Sequence, residues 1–172
     1  MGKTSSTAPV TGPRMADLVP PLTAATCVTA LLAGLAADLS WEIWARLITP
    51  QLPGVGGPLE PEALIRSVFG FSSKPLAEAI HAVVGVVFYP LGYLFIARPL
   101  QRIVLQSLPW WLTGAGFGVG LWIFALFVMA HLVAGLPAFL GFIPLTWASL
   151  GGHILFGFVT AFVVRWREKR TG

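Results

Sequence analysis

The chain has 172 residues, of which 56% are hydrophobic and only 10% charged, with a formal net charge of +4 and a mean hydropathy of +0.80. A water-soluble domain of this size needs far more charge on its surface, so this balance excludes an ordinary soluble protein and predicts a bilayer as the solvent. The basic residues lie at the ends of apolar segments and form no patch among polar residues, which argues against nucleic acid as a partner.

The first 20 residues are rich in Ser, Thr, Pro and Gly. They predict a disordered cytoplasmic tail that ends just before the first apolar run. We assign residues 21–166 to a transmembrane domain and residues 167–172 to a basic cytoplasmic tail. A cleaved signal peptide is the alternative for the amino-terminal segment, although its apolar run is long for such a peptide.

Four apolar runs have about the 20 residues that a membrane-spanning helix needs. They cover residues 22–48, 76–97, 109–135 and 144–166. The predicted fold is therefore all-α, a polytopic membrane protein with a four-helix transmembrane bundle. In the first link, the stretch from Pro61 to Phe69 is amphipathic and begins with proline, which predicts a short helix on the outer membrane surface.

Orientation follows from the lysines and arginines near the helix ends, because cytoplasmic loops retain positive charge. With both termini inside, eight of the eleven basic residues are cytoplasmic, and Arg46, Arg66 and Lys74 are outside. This predicts a multi-pass protein of a bacterial inner (cytoplasmic) membrane with cytoplasmic ends. Trp41 and Trp44 are assigned to the aromatic belt at the outer interface.

Six ionisable residues fall in the outer half of the predicted bundle. They are Asp38, Glu42, Glu78, His81, His131 and His153. A charge in hydrocarbon costs roughly 2.5–3.5 kcal/mol, so such side chains should face the bundle interior and find partners. We expect the three histidines to converge with Glu42 or Glu78 in one polar pocket that binds a ligand or protons.

Structural explanations of the same residues stay open. Asp38 and Glu42 lie at four-residue spacing with Arg46 and can form a charge ladder along one helix. Glu78 can interact with the start of the second helix. Each histidine can also satisfy a polar group of a neighbouring helix.

The histidines raise the question of a cofactor, whose identity the sequence leaves unknown. His81, His131 and His153 could ligate one metal ion, and two facing histidines could ligate a haem. The single cysteine, Cys27, excludes an intrachain disulfide and a cysteine-based metal site. Phosphate-binding glycine loops and the common hydrolase motifs are absent from the sequence, which favours a protein that is not an enzyme.

The third predicted span opens with glycines at alternate positions, namely Gly114, Gly116, Gly118 and Gly120. Glycines four residues apart let another helix backbone approach closely. We favour packing within the same bundle, and a homodimer interface is the alternative.

Several landmarks recur in a fixed order along the second to fourth spans. They are His81, Gly92-Tyr93, Trp111, the glycines from Gly114 to Gly118, His131, Gly135-Leu136-Pro137 and Gly152-His153, followed by a basic tail. This order resembles the YagU-like family of small bacterial inner-membrane proteins. The resemblance implies a polytopic protein linked to acid resistance and without catalytic activity. The chain departs from the family in its shorter first outer loop and in lacking an acidic residue before Gly152-His153.

Three functions are compatible with these features. The leading hypothesis is a non-enzymatic membrane protein that acts as an accessory subunit or in envelope or acid stress. A haem- or metal-binding redox subunit that uses the histidines is the second. A small proton or ion channel or transporter lined by Asp38, Glu42 and Glu78 is the third. The expected partners are the lipid bilayer and either further copies of the chain or a larger membrane complex.

Overall fold

A computed structural model describes residues 18–171, and in this part of the chain every regular element is a helix. The main helices are α1 (Ala24–Gln51), α2 (Pro61–Phe69), α3 (Lys74–Val104), α4 (Trp110–Val133) and α5 (Pro144–Thr171). The prediction of an all-α fold is confirmed, and α1, α3, α4 and α5 are each long and apolar enough to cross a membrane. Most of the predicted amino-terminal tail, residues 1–17, and residue 172 lie outside the described residues.

Helix α1 packs through small side chains. It begins after Thr23, whose Oγ1 accepts a hydrogen bond of 3.2 Å from the backbone N–H of Thr26. The residues that it buries are Ala30, Ala33, Gly34, Ala37 and Trp41. Its leucines point outward, with Leu35 and Leu39 more than half exposed. This distribution is typical of helices whose large apolar side chains face lipid and whose small residues face other helices.

Two helix pairs come into backbone contact at glycines. A Cβ added to Gly34 of α1 would lie 2.0 Å from the carbonyl oxygen of Val86 in α3. At the crossing of α4 with α5, a Cβ on Gly118 would lie 2.1 Å from the carbonyl oxygen of His153, and one on Gly157 would lie 2.2 Å from that of Gly114. No side chain fits in these gaps, so glycine is required there.

The other two glycines of the α4 run have a different environment. A Cβ on Gly116 or Gly120 would meet nothing within 4 Å, and both residues are exposed. Packing within the chain therefore involves Gly114 and Gly118 and does not extend to the alternate positions. A homodimer interface on the face of Gly116 and Gly120 stays a prediction.

Helix α2 lies in the first loop and is fixed to its neighbours. The backbone N–H of Leu59 donates to the carbonyl of Ala45 at 3.1 Å, which holds the start of α2 against α1. The buried carboxylate of Glu62 lies 3.2 Å from Lys74 Nζ at the start of α3. Gly70 ends the helix in the left-handed conformation with φ of 69°. The position of α2 on a membrane surface stays a prediction.

The link between α4 and α5 folds back onto the bundle. Phe139 and Leu140 adopt left-handed conformations with φ of 49° and 53°. The conformation is held from α5, where Thr146 Oγ1 donates to the carbonyl of Phe139 at 2.7 Å. Trp122 of α4 in turn donates its indole N–H to the carbonyl of Thr146 at 3.1 Å. These contacts place the link beside the end of the bundle that carries α2.

The opposite end of the bundle gathers the basic residues. Arg98 of α3 forms a two-pronged ion pair with Glu168 near the end of α5. Arg102 donates to the carbonyl of Leu18 at 3.5 Å, which brings the beginning of the described chain to the same place. We call this the basic end, and the end that carries α2 the loop end.

Candidate functional site

A cavity of about 650 Å³ lies at the loop end and is bordered by all five helices. Most of its lining is apolar, with Leu64 of α2 and Leu126 of α4 as examples. Its polar lining includes Asp38 of α1, His81 of α3 and His153 of α5. The volume is within the range of roughly 300–1,000 Å³ that is usual for small-molecule sites. We call it the acidic cavity, because Asp38 and Glu60 are the charged residues among its described lining.

Two side chains of α1 that line this cavity carry buried polar atoms without a partner. Asp38 and Trp41 lie three residues apart, and both belong to its lining. Asp38 Oδ1 and Trp41 Nε1 are inaccessible to water and have no hydrogen-bond partner among the described residues. Trp41 as a whole is only 5% exposed. A buried donor or acceptor without a partner costs about 1–3 kcal/mol, and more for a charged group. Both atoms therefore lack a partner within the described protein, and each side chain would have to turn before its atom met a molecule in the cavity.

His153 is buried beside Trp41. The two rings are 4.6 Å apart between centroids and nearly perpendicular. His153 Nδ1 lies 2.8 Å from the carbonyl oxygen of Ser149. Because a carbonyl can only accept, Nδ1 carries the proton in this hydrogen bond, and Nε2 remains as an acceptor. His153 thus has one partner inside its own helix and one nitrogen free to act as an acceptor in the cavity.

His81 completes the polar part of the cavity from α3. Its ring centroid lies 6.0 Å from that of Trp41, on a different helix from His153. Tyr89, two turns further along α3, also lines the cavity and packs edge-on against Phe156 of α5. The structure therefore brings together Asp38, His81 and His153 of the six predicted residues.

Glycines make room for the two side chains of α1. A Cβ on Gly85 of α3 would lie 2.6 Å from Asp38 Oδ1, so any larger residue would displace the carboxylate. A Cβ on Gly152 of α5 would lie 2.7 Å from the ring of Trp41. The neighbouring Trp44 is held by a hydrogen bond from its indole N–H to the carbonyl of Ala148 at 2.8 Å.

His131 does not join this group. Its Nδ1 lies 2.8 Å from the carbonyl oxygen of Leu136, just beyond the end of α4. Its ring lies 5.5 Å from that of Phe127 on the same helix. His131 is absent from the described lining of the cavity, so the predicted convergence of all three histidines is wrong for this residue. The reason is local, since the ring binds the carbonyl of a residue in the loop that follows its own helix.

Glu42 and Glu78 also lie outside the cavity lining. Glu42 forms an ion pair with Arg46 one turn later on α1, which is the structural alternative considered from the sequence. Glu78 Oε1 is 4.0 Å from Lys74 Nζ. Local partners therefore engage both glutamates, and they contribute no ligand group to the cavity.

The arrangement bears directly on the metal hypothesis. Within residues 18–171, no group of three or more His, Cys, Asp or Glu side chains is placed so that it could hold a metal ion. The predicted ligand set of His81, His131 and His153 is therefore not assembled. His131 is the missing member, for the local reason given above.

Sequence reasoning missed three residues of this site. Trp41 was assigned to an interfacial belt, and that is wrong because its side chain is buried in the bundle. The available signal was its spacing from Asp38, since residues three apart share a helix face. Gly85 and Gly152 carry no signal of their own, because only the folded chain shows which side chains they admit.

Comparison of the chain with protein-family models, with curated proteins and with solved structures finds no match. The resemblance to the YagU-like family therefore stays a prediction. A functional inference for this protein rests on the geometry of its own side chains.

Proposed function

We propose that the protein is a non-enzymatic, multi-pass membrane protein that binds a lipophilic cation in the acidic cavity. The observation that carries the proposal is Asp38, an acidic side chain that lines a cavity large enough for an organic molecule and whose Oδ1 has no hydrogen-bond partner among the described residues. A buried carboxylate is costly unless a cation or several donors accompany it. The described protein supplies neither, so a bound cation is the partner that fits.

Charge in and around the cavity supports a cationic ligand. Asp38 and Glu60 line it, and no lysine or arginine does so among the described residues. Arg46 lies two turns from Asp38 on the same helix, but Glu42 engages it. The charged side chains that line the cavity are therefore both acidic, and their charge acts through apolar surroundings that screen it less than water does.

The apolar lining suits the remainder of such a molecule. Aromatic residues from four helices line the cavity, namely Trp41, Tyr89, Phe124 and Phe156. Aromatic faces attract cations and also accept apolar groups, so one surface serves both parts of a lipophilic cation.

Access to the cavity runs through the side of the bundle. Among the lining residues, Phe69, Phe88 and Phe124 are 60%, 61% and 45% exposed. Phe88 and Phe124 lie well inside the lengths of α3 and α4, at the depth of hydrocarbon if these helices span a bilayer. A lipophilic ligand then enters from the membrane between α3 and α4.

The membrane setting belongs to the same proposal. Four helices have the length and apolarity to span a bilayer, and the basic end holds Arg98, Arg102 and Arg165 where the positive-inside rule expects cytoplasmic charge. We place the protein in a bacterial inner membrane with both ends cytoplasmic and the acidic cavity in the outer half. The resemblance to the YagU-like family suggests envelope or acid stress as the physiological setting.

Binding of two hydrophobic ions of the same shape and opposite charge tests this function. Purified protein in an uncharged detergent is dialysed against tetraphenylphosphonium or tetraphenylborate, and uptake by protein-free micelles is subtracted. We expect the phosphonium to bind at least tenfold more tightly than the borate, a difference of about 1.4 kcal/mol. Asp38→Asn should weaken phosphonium binding at least tenfold, because it removes the charge and keeps the size of the side chain.

The matched control is Glu42→Gln, which neutralises an acid one turn away that is outside the cavity lining. Its phosphonium affinity should stay within threefold of that of the parent protein. Equal binding of the two ions by the parent protein, or unchanged phosphonium binding by Asp38→Asn, would contradict the proposal. The first comparison needs no variant, so it holds even if a substitution disturbs folding.

A further inference from the structure

A second concave site lies at the basic end, far along the helices from the acidic cavity. It is a cleft of about 260 Å³ between the end of α3, the start of α4 and the last turns of α5. Arg98, Arg102 and Arg165 line it, and its described lining contains no carboxylate. We call it the arginine cleft. From this cleft we infer a binding site for a phosphate group, occupied by the headgroup of an anionic phospholipid.

The charges of the cleft are only partly compensated. Glu168 pairs with Arg98 from outside the lining. Arg102 donates to the neutral carbonyl of Leu18, and the guanidinium of Arg165 lies 6.0 Å from the centre of the Trp110 ring. Among residues 18–171, three guanidinium groups thus have one carboxylate as a partner at this cleft. The excess positive charge favours an anion, and planar guanidinium groups match the oxygens of a phosphate.

A hydrogen-bonded turn borders the cleft. Gln101 uses its amide nitrogen to donate to the carbonyls of Leu105 at 2.9 Å and Leu108 at 3.3 Å, which closes the turn between α3 and α4. Trp110, which follows this turn, lines the cleft together with Arg102 of the preceding helix. The arginines are therefore presented by two helix ends and a pinned turn, which limits the rearrangement needed on binding.

Size and surroundings favour a lipid headgroup. A volume of about 260 Å³ is suited to a headgroup and leaves no room for acyl chains. Exposed apolar residues lie next to the cleft on the outer faces of α3 and α4, including Leu100, Val104 and Trp111. Acyl chains can pack along these faces while the phosphate stays in the cleft. Basic pockets between helices at the cytoplasmic side are known to bind anionic headgroups in this manner.

Native mass spectrometry with short-chain lipids tests the inference on the full-length protein. Dihexanoyl phosphatidylglycerol is compared with dihexanoyl phosphatidylcholine, which has the same chains and a neutral headgroup. We expect one phosphatidylglycerol to be retained at least tenfold more strongly. Arg102→Gln and Arg165→Gln should each reduce this retention about tenfold.

The matched control is Lys169→Gln, which removes one positive charge from the exposed tail of the same helix and leaves the cleft intact. Its retention of phosphatidylglycerol should stay within twofold of that of the parent protein. Displacement of the lipid by millimolar inorganic phosphate would support the phosphate site and assign it to a soluble phosphate compound as well. Equal retention of both lipids, or an equal loss in Lys169→Gln, would overturn the inference.

Discussion

The acidic cavity and the arginine cleft both involve α3, α4 and α5, yet they treat their polar groups in opposite ways. In the cavity, Asp38 and Trp41 present buried atoms without partners. In the cleft, Arg98 forms an ion pair and Gln101 satisfies two carbonyls of a turn. Polar groups at the basic end therefore help to hold the local structure and still leave excess charge. Those at the loop end have no partner among the described residues, an arrangement that lowers stability and is common at functional sites.

Sequence explains part of this difference. An acid in a spanning helix is expensive wherever it lies, so the sequence singles out Asp38 but does not say whether it has a partner. Arginines near the end of a span have an ordinary explanation as topological signals. The grouping of Arg98 and Arg102 with Arg165 depends on how α3 and α5 meet, which a single sequence does not reveal.

The largest expected effect comes from Gly118→Leu, at the crossing that connects the two ends. A Cβ there would lie 2.1 Å from the carbonyl of His153, so α4 and α5 must separate to admit a leucine. We expect a loss of at least about 3 kcal/mol or failure to fold, since the clash is with backbone. Thermal unfolding in detergent measures this change.

Gly120→Leu is the matched control, because the same side chain added two residues later meets nothing within 4 Å. Its thermal unfolding midpoint should stay close to that of the parent protein, because surface substitutions typically change the free energy of unfolding by no more than about 0.5 kcal/mol. If both variants unfold at the parent temperature, the tight crossing between the two ends is wrong.

The same crossing shows how far sequence could predict this fold. Apolar length alone located four helices, because hydrocarbon thickness fixes how many residues a span needs. Glycine spacing indicated close packing of α4, and the structure assigns it to Gly114 and Gly118. The absence of contacts at Gly116 and Gly120 was not predictable, since a run of alternate glycines supplies pairs at four-residue spacing on two faces of a helix.

The candidate site was predicted less completely. The cost of polar groups in hydrocarbon singled out Asp38, His81 and His153, and all three line the cavity. It could not distinguish them from His131 and Glu42, which bind a carbonyl of the following turn and an arginine of the same helix. Local partners of this kind form at short range and compete with a common pocket. Whether a polar side chain binds a local partner or joins the common pocket depends on side-chain geometry, which residue spacing alone does not give.

An intermediate effect of opposite sign is expected at Asp38 in the protein without ligand. Asp38→Asn keeps the shape that Gly85 accommodates and removes an unpaired charge from apolar surroundings. We expect it to stabilise the protein by about 1–2 kcal/mol, because desolvation of an ion costs more than that of an amide. Thermal unfolding of ligand-free protein in uncharged detergent is the measurement. A lower midpoint for Asp38→Asn would mean that the carboxylate stabilises the fold, and the contrast between the two ends would be lost.

The smallest effect is expected from Glu168→Gln at the basic end. Glu168 is 45% exposed at its side chain and Arg98 is 17% exposed, so their ion pair is partly solvated. Pairs of this kind contribute about 0.2–1 kcal/mol, and we expect a loss in that range that shrinks as salt is added. Glu78→Gln serves as the control at the loop end, where the carboxylate is 4.0 Å from Lys74 and should contribute less. Glu168→Gln also removes the carboxylate that pairs with Arg98 beside the arginine cleft. Retention of phosphatidylglycerol by this variant should therefore rise or stay constant while its stability falls. A parallel fall of stability and lipid retention would show instead that Glu168 holds the cleft in shape.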